Sequence, residues 1–150
     1  MLQVGDKVPE FTLPDQKGQM VSPSQFRGKK LVIYFYPKDN TPGCTTEACG
    51  LRDSHQHITD KNAIVLGISK DSQASHLKFI EKFSLPFTLL SDVETTTIQA
   101  FGAWGEKKMC GKTYMGIIRS TFIVNEEGII THVFPKVNTK THAEEVLAVL

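Results

Sequence analysis

Leu31-Val32-Ile33-Tyr34-Phe35-Tyr36-Pro37-Lys38-Asp39-Asn40-Thr41-Pro42-Gly43-Cys44-Thr45-Thr46-Glu47-Ala48-Cys49 sets the plan of the chain. Its first six residues are apolar and β-prone without a polar interruption, which predicts a strand over Leu31–Tyr36 buried on both faces. Pro37 ends that strand. A polar turn then leads to Thr41 and Pro42, a favoured N-cap followed by a favoured first helical residue, so a helix is expected from Pro42 to about Lys61. Cys44 therefore falls in the first turn of a helix, where free N–H groups and partial positive charge favour a thiolate, the nucleophilic form of cysteine. The segment reads as built for sulfur chemistry.

Outward from this segment the pattern continues. Ala63–Ser69 predicts a second buried strand, and Asp71–Phe83 a helix with Leu77, Ile80 and Phe83 along one face. A short strand is expected over Leu85–Leu90 and a short helix over Glu94–Phe101, closed by Gly102. The polar stretch Gly105–Met109 reads as a loop, and Tyr114–Val124 as one central strand. Asn125–Gly128 is a turn that returns Ile129–Phe134 as an antiparallel partner, and Thr141–Leu150 forms a last helix. On the other side, Pro9, Pro14 and Pro23 forbid a long helix in the first 27 residues, where Ser22–Gln25 caps one short helical turn. Strands alternating with helices predict a single α/β domain over residues 1–150, a central mixed sheet flanked by helices, compatible with a thioredoxin-like fold.

Composition narrows the function. Net charge is +1 with no basic run, which points away from nucleic acid and anionic membrane surfaces. No apolar stretch approaches the roughly 20 residues of a membrane span, and Met1–Glu10 lacks a signal-peptide plan, so the expected location is cytoplasmic. Three cysteines, Cys44, Cys49 and Cys110, make no disulfide framework; in a reducing compartment a close pair points to catalysis or metal binding. Metal is the weaker choice, because four residues separate Cys44 from Cys49 and no second ligand pair follows, while His55 and His57 read as solvated helix residues. No glycine-rich phosphate loop suggests a nucleotide cofactor.

Pro37, Thr41 and Cys44 resemble the Pro-x-x-x-Thr-x-x-Cys motif of the peroxiredoxins, and the longer run Phe35–Glu47 looks like their bacterioferritin comigratory, or PrxQ, branch. Two further blocks agree in order, Val4–Leu13 and Lys112–Phe122. The resemblance implies a thiol peroxidase in which Cys44 attacks the O–O bond of hydrogen peroxide or an organic hydroperoxide and becomes a sulfenic acid. It further implies that Thr41 holds the peroxide oxygens as well as marking the helix start, and that Pro37 shields the thiol. Arg119, within the predicted core strand, is implied to face the thiolate. Cys49 matches the resolving cysteine of one subgroup, whose disulfide with Cys44 thioredoxin would reduce, with glutaredoxin or glutathione as other reductants. No metal, flavin or haem is implied, and the branch is often monomeric.

Two consequences and one departure follow. Positions five apart on a helix lie about 8–9 Å apart between Cα atoms, whereas a disulfide needs about 4.4–6.8 Å, so roughly the first two turns must unwind on oxidation, eased by Gly43 and Gly50. A peroxide sensor or relay would use the same Cys44 but pass oxidation to a partner protein. A disulfide oxidoreductase would want a Cys-x-x-Cys that is absent. Cys110 stands where related sequences more often carry tyrosine, and reads as a bystander, a back-up resolving thiol or a site of crosslinks between chains.

Overall fold

The structure is a computed structural model describing residues 1–150. Its main sheet contains β3 (Lys30–Phe35), β4 (Ala63–Ser69), β5 (Thr88–Ser91), β8 (Ser120–Val124) and β9 (Ile130–Phe134), in the spatial order β5-β4-β3-β8-β9. The β3–β4 and β4–β5 pairs are parallel, and the β3–β8 and β8–β9 pairs antiparallel. Two small antiparallel ribbons stand apart: β1 (Leu13–Pro14) with β2 (Met20–Val21), and β6 (Trp104–Met109) with β7 (Lys112–Ile117). The helices are α1 (Pro42–Asp53), α2 (His55–Asp60), α3 (Gln73–Phe83), α4 (Thr96–Ala100) and α5 (His142–Val149). The expected mixed sheet flanked by helices is the observed one. No helix is long and apolar enough to cross a membrane.

Alternation along β3 builds two cores, because successive strand side chains point to opposite faces. Leu31, Ile33 and Phe35 pack with Phe11, Ile98, Phe101 and Phe122 on one face. Val32, Tyr34 and Tyr36 pack with Cys44, Ala48 and Leu51 of α1, Ile58 of α2, Phe79 of α3 and Val146 of α5 on the other. The apolar continuity of Leu31–Tyr36 thus reflects a strand covered on both sides. Opposite Tyr34 in the register sits Gly67, where an added Cβ would lie 2.8 Å from the Tyr34 ring and 2.6 Å from Leu89. Glycine there lets the tyrosine lie flat across β4.

Four expectations change. The helix from Pro42 is not continuous to Lys61 but breaks at Ser54 between α1 and α2. Helix α3 starts at Gln73 after the capping side chain of Ser72, and its buried face is His76 and Phe79, leaving Leu77 exposed. Gly105–Met109 is not a loop but strand residues of β6, stabilised by pairing with β7 despite their polarity. Tyr114–Val124 is not one strand. It is β7 and β8 in different sheets, separated by Ile118 and Arg119.

Candidate active site

That separation delivers Arg119. Phe35 pairs with Ser120 across the β3–β8 ladder, so the residue before Ser120 emerges level with the end of β3, where the chain turns into α1. Arg119 therefore lies in a break between strands, not within a core strand as the sequence predicts. Freed from the sheet, its side chain reaches over the start of α1. Nη2 donates to Cys44 Sγ at 3.2 Å, and Nη1 donates to Glu47 Oε1 at 2.7 Å. Gly43 permits this approach, since a Cβ there would come within 3.3 Å of Nη2.

Cys44 is the third residue of α1 and is 2% exposed. Residues 44, 47, 48 and 51 share the face turned to the sheet, at i, i+3, i+4 and i+7 spacing, and all four are buried. Thr41 occupies the N-cap position with extended backbone, and its carbonyl accepts from the Thr45 N–H at 2.8 Å. Its side chain does not cap the helix. The hydroxyl donates instead to the Lys38 carbonyl at 2.9 Å. The Gly43 and Cys44 N–H groups have no intrahelical acceptor by helix geometry, so they remain as donors beside the thiol. Pro37, next to the end of β3, opens a cleft of about 230 Å³ shared with Lys38, Lys70, Lys107 and β7 residues Tyr114–Ile117.

The electrostatics around the thiol are unequal. Burial opposes the charge on Arg119, but Cys44 and Glu47 outweigh it and hold the guanidinium more basic than usual. Lys107 donates to the Ile117 carbonyl at 2.9 Å; burial and the charge of Arg119 make its ammonium less basic, with Cys44 acting the other way. Glu47 is 1% exposed, and burial pushes its carboxyl up from 4.5 to about 7 against the pull of Arg119. Its second oxygen has no hydrogen-bond partner and lies 3.8 Å from Nε2 of buried His142. That ring shares a 2.8 Å hydrogen bond with Thr121 Oγ1, and burial lowers it to about 4, so it is neutral at ordinary pH.

Cys49 lies five residues along α1, half-buried, and both it and Cys44 are free thiols. Cys110 is exposed, with φ +52, in the turn between β6 and β7. The structure thus brings Cys44, Thr41, Pro37 and Arg119 to one end of β3, with Cys49 along the same helix. Sequence reasoning missed Glu47 and His142. For Glu47 a signal existed: an acid on the buried stripe of a helix requires a cation, and Arg119 is that cation.

The comparisons fit this arrangement. Residues 4–133 match the model of the AhpC/TSA family. The chain is 48% identical over 149 residues to Peroxiredoxin Bcp of Bacillus subtilis, covering 99% of this chain and 95% of that protein. It is 47% identical over 146 residues to Peroxiredoxin Bcp of Escherichia coli strain K12, covering 97% and 94%. Among solved structures, the bacterioferritin comigratory protein of Xanthomonas campestris, described for alkyl peroxide reduction, superposes with a TM-score of 0.89 at 38% identity, covering 96% of each chain. A cysteine-to-serine mutant of PrxQ from Xylella fastidiosa superposes with a TM-score of 0.93 at 35% identity, covering 99% of this chain and 94% of that one. With its thioredoxin-like sheet and the buried thiol at the end of β3, the chain belongs to the AhpC/TSA family, as a thiol peroxidase of the Bcp/PrxQ peroxiredoxins.

Proposed function

We propose that residues 1–150 act as one peroxidase domain that reduces hydrogen peroxide and organic hydroperoxides through Cys44, with Cys49 as resolving thiol and thioredoxin as reductant, as a monomer in the cytoplasm. The observation that carries this reading is the 3.2 Å contact of Arg119 Nη2 with Cys44 Sγ at a helix N-terminus. The guanidinium and the open N–H groups are placed where negative charge develops during attack on a peroxide.

The thiolate attacks the terminal oxygen of R–O–OH. The S–O bond forms as the O–O bond breaks, and the leaving alkoxide takes a proton to become R–OH, or water when the substrate is hydrogen peroxide. Cys44 is left as a sulfenic acid. The N–H groups of Gly43 and Cys44 and the guanidinium stabilise charge on the leaving oxygen, and Thr41 Oγ1 has lone pairs to accept the hydroperoxide O–H. Pro37 limits water at the mouth of the site. The Cys49 thiol then displaces water from the sulfenic acid to form the disulfide, and thiol–disulfide exchange with a dithiol reductant restores both thiols.

Mass spectrometry of the reduced protein after one equivalent of hydrogen peroxide tests the reading. Loss of two hydrogens mapped to a Cys44–Cys49 bond within one chain is the expected result, and full thioredoxin-dependent turnover by Cys49→Ser would refute the resolving role. A Cys44–Cys110 bond would move that role to the hairpin. An unchanged Cys44 would end the assignment of the thiol.

A further inference from the structure

The turn between β3 and α1 carries Pro37 and Thr41, and what fixes its shape lies outside α1. Asp39, 7% exposed, is its buried acid. Three groups converge on the carboxyl: Tyr36 Oη donates to Oδ1 at 2.5 Å, Ser75 Oγ donates to Oδ2 at 2.8 Å, and His76 Nδ1 shares a hydrogen bond with Oδ2 at 2.7 Å. The backbone N–H of Asp39 donates to Asp71 Oδ2 at 2.9 Å, an oxygen that also accepts from Ser69 Oγ at 2.7 Å. The anchors thus come from β4, from α3 and from the link between them.

His76 is wholly buried, and both ring nitrogens face acceptors. Nδ1 meets the Asp39 carboxylate, and Nε2 meets the Leu90 carbonyl of β5 at 3.0 Å. The Tyr36 phenol is 3.4 Å from Nδ1, but its proton is spent on Asp39; burial, Tyr34 and Asp39 keep that phenol un-ionised. The ring therefore bridges the Asp39 carboxyl and the end of β5, and the Tyr36 and Ser75 hydroxyls complete the hold on that carboxyl. Atoms of Asp39, Asp71 and His76 lie within 4.8 Å of one another, a spacing that would also suit a cation. Hydrogen-bond donors already occupy these oxygens.

We propose that Asp39 and His76, joined through Oδ2 and Nδ1, are positioning residues that fasten the peroxide-binding turn Pro37–Thr41 to β4 and α3. The proposal rests on the peroxidase reading above. It divides the site into two halves. The thiol rides on α1, whose first turns must open for Cys44 to reach Cys49. The turn that receives the hydroperoxide is tied to the sheet and stays built while α1 opens. When the disulfide is reduced, α1 refolds against a receptor already in place.

The experiment measures Cys44 oxidation by hydrogen peroxide in stopped flow, and disulfide formation in the same reaction by quenching and mass analysis. Asp39→Asn and His76→Gln are compared with wild type. Misplacing the turn slows oxidation roughly ten- to a hundred-fold while disulfide formation keeps its rate, because only the first step uses the turn. A role in stability alone would lower the melting temperature of both variants and leave the oxidation rate at 25 °C intact, which overturns the proposal. Should the variants not fold, one measurement on the wild-type chain decides. Amide exchange is expected to be equal at Lys38–Asn40 in reduced and oxidised protein; lost protection on oxidation overturns the division into halves. A wild-type protein inert to peroxide would overturn the peroxidase reading, and the positioning role with it, whatever the amide exchange shows.

Discussion

Replacing Glu47 with glutamine exposes a pH dependence that the wild-type protein conceals. Glu47 titrates near 7 in the folded state instead of 4.5, because burial penalises its charge more than Arg119 rewards it. Between those values the folded protein keeps a proton that the unfolded chain gives up. The stability this group contributes is full below pH 4.5 and is lost as pH rises through 7, a change of about 3 kcal/mol at 1.36 kcal/mol per unit. His142 does the reverse. Burial lowers it from 6.5 to about 4, so its contribution is full above pH 6.5 and is lost as pH falls through 4, again by about 3 kcal/mol. The two windows overlap, the slopes oppose, and their sum is nearly level across mildly acidic pH.

Each substitution removes one slope. Glu47→Gln leaves that of His142, so stability climbs by about 3 kcal/mol from pH 4 to 6.5. His142→Gln leaves that of Glu47, so stability falls by a similar amount from pH 4.5 to 7. Any loss from depriving Arg119 of its carboxylate displaces a whole curve without tilting it. Other groups titrate alike in all three proteins, so difference curves isolate the pair. Urea unfolding across this pH range reads the effect as midpoint shifts of about 1–3 M, given slopes of about 1–3 kcal/mol per molar. Three parallel curves would refute the reasoning, and so would variants that tilt in the same direction.

Arg119→Ala removes the donor at 3.2 Å from Cys44 Sγ and strands Glu47; peroxide should then oxidise Cys44 about 10²–10³-fold more slowly in stopped flow. A loss under about ten-fold would remove the guanidinium from the chemistry. Gly67→Ala drives a methyl group into the Tyr34 ring and Leu89, and should lower stability by about 1–3 kcal/mol in urea unfolding with unchanged slope. Oxidation to the Cys44–Cys49 disulfide should erase amide protection across Thr45–Cys49 and spare α3; identical exchange in both redox states would contradict the helix geometry.

The β3–turn–α1 unit was legible because its signals are local: an apolar strand, a proline stop, a cap and a cysteine. Strands β4 and β9, and part of β5, are legible for the same reason. The β6–β7 hairpin was not, because Glu106, Lys107 and Lys108 have no apolar alternation and are held in strand form by their partners. The break at Ile118-Arg119 was hidden inside an apolar run, and only the change of sheet reveals it. The spacing of Leu77, Ile80 and Phe83 points Leu77 inward, but the ring of His76 takes the interior, where it meets Asp39. Motif resemblance put Arg119 beside the thiol. The buried Glu47 and His142 depend on groups far along the chain, which spacing alone does not bring together.

The ribbon of β6 and β7 joins no other strand, so each of its members has an outer edge of unpaired backbone. Such an edge invites strands of other molecules to add to it. Met109, Tyr114 and Met115 on the ribbon are exposed and would reinforce that attachment. Lys108 and Lys112, both exposed, work against it, since like charges on two such ribbons repel. The polarity that makes these residues read as a loop also places charge on the ribbon, the device by which exposed strand edges discourage such attachment.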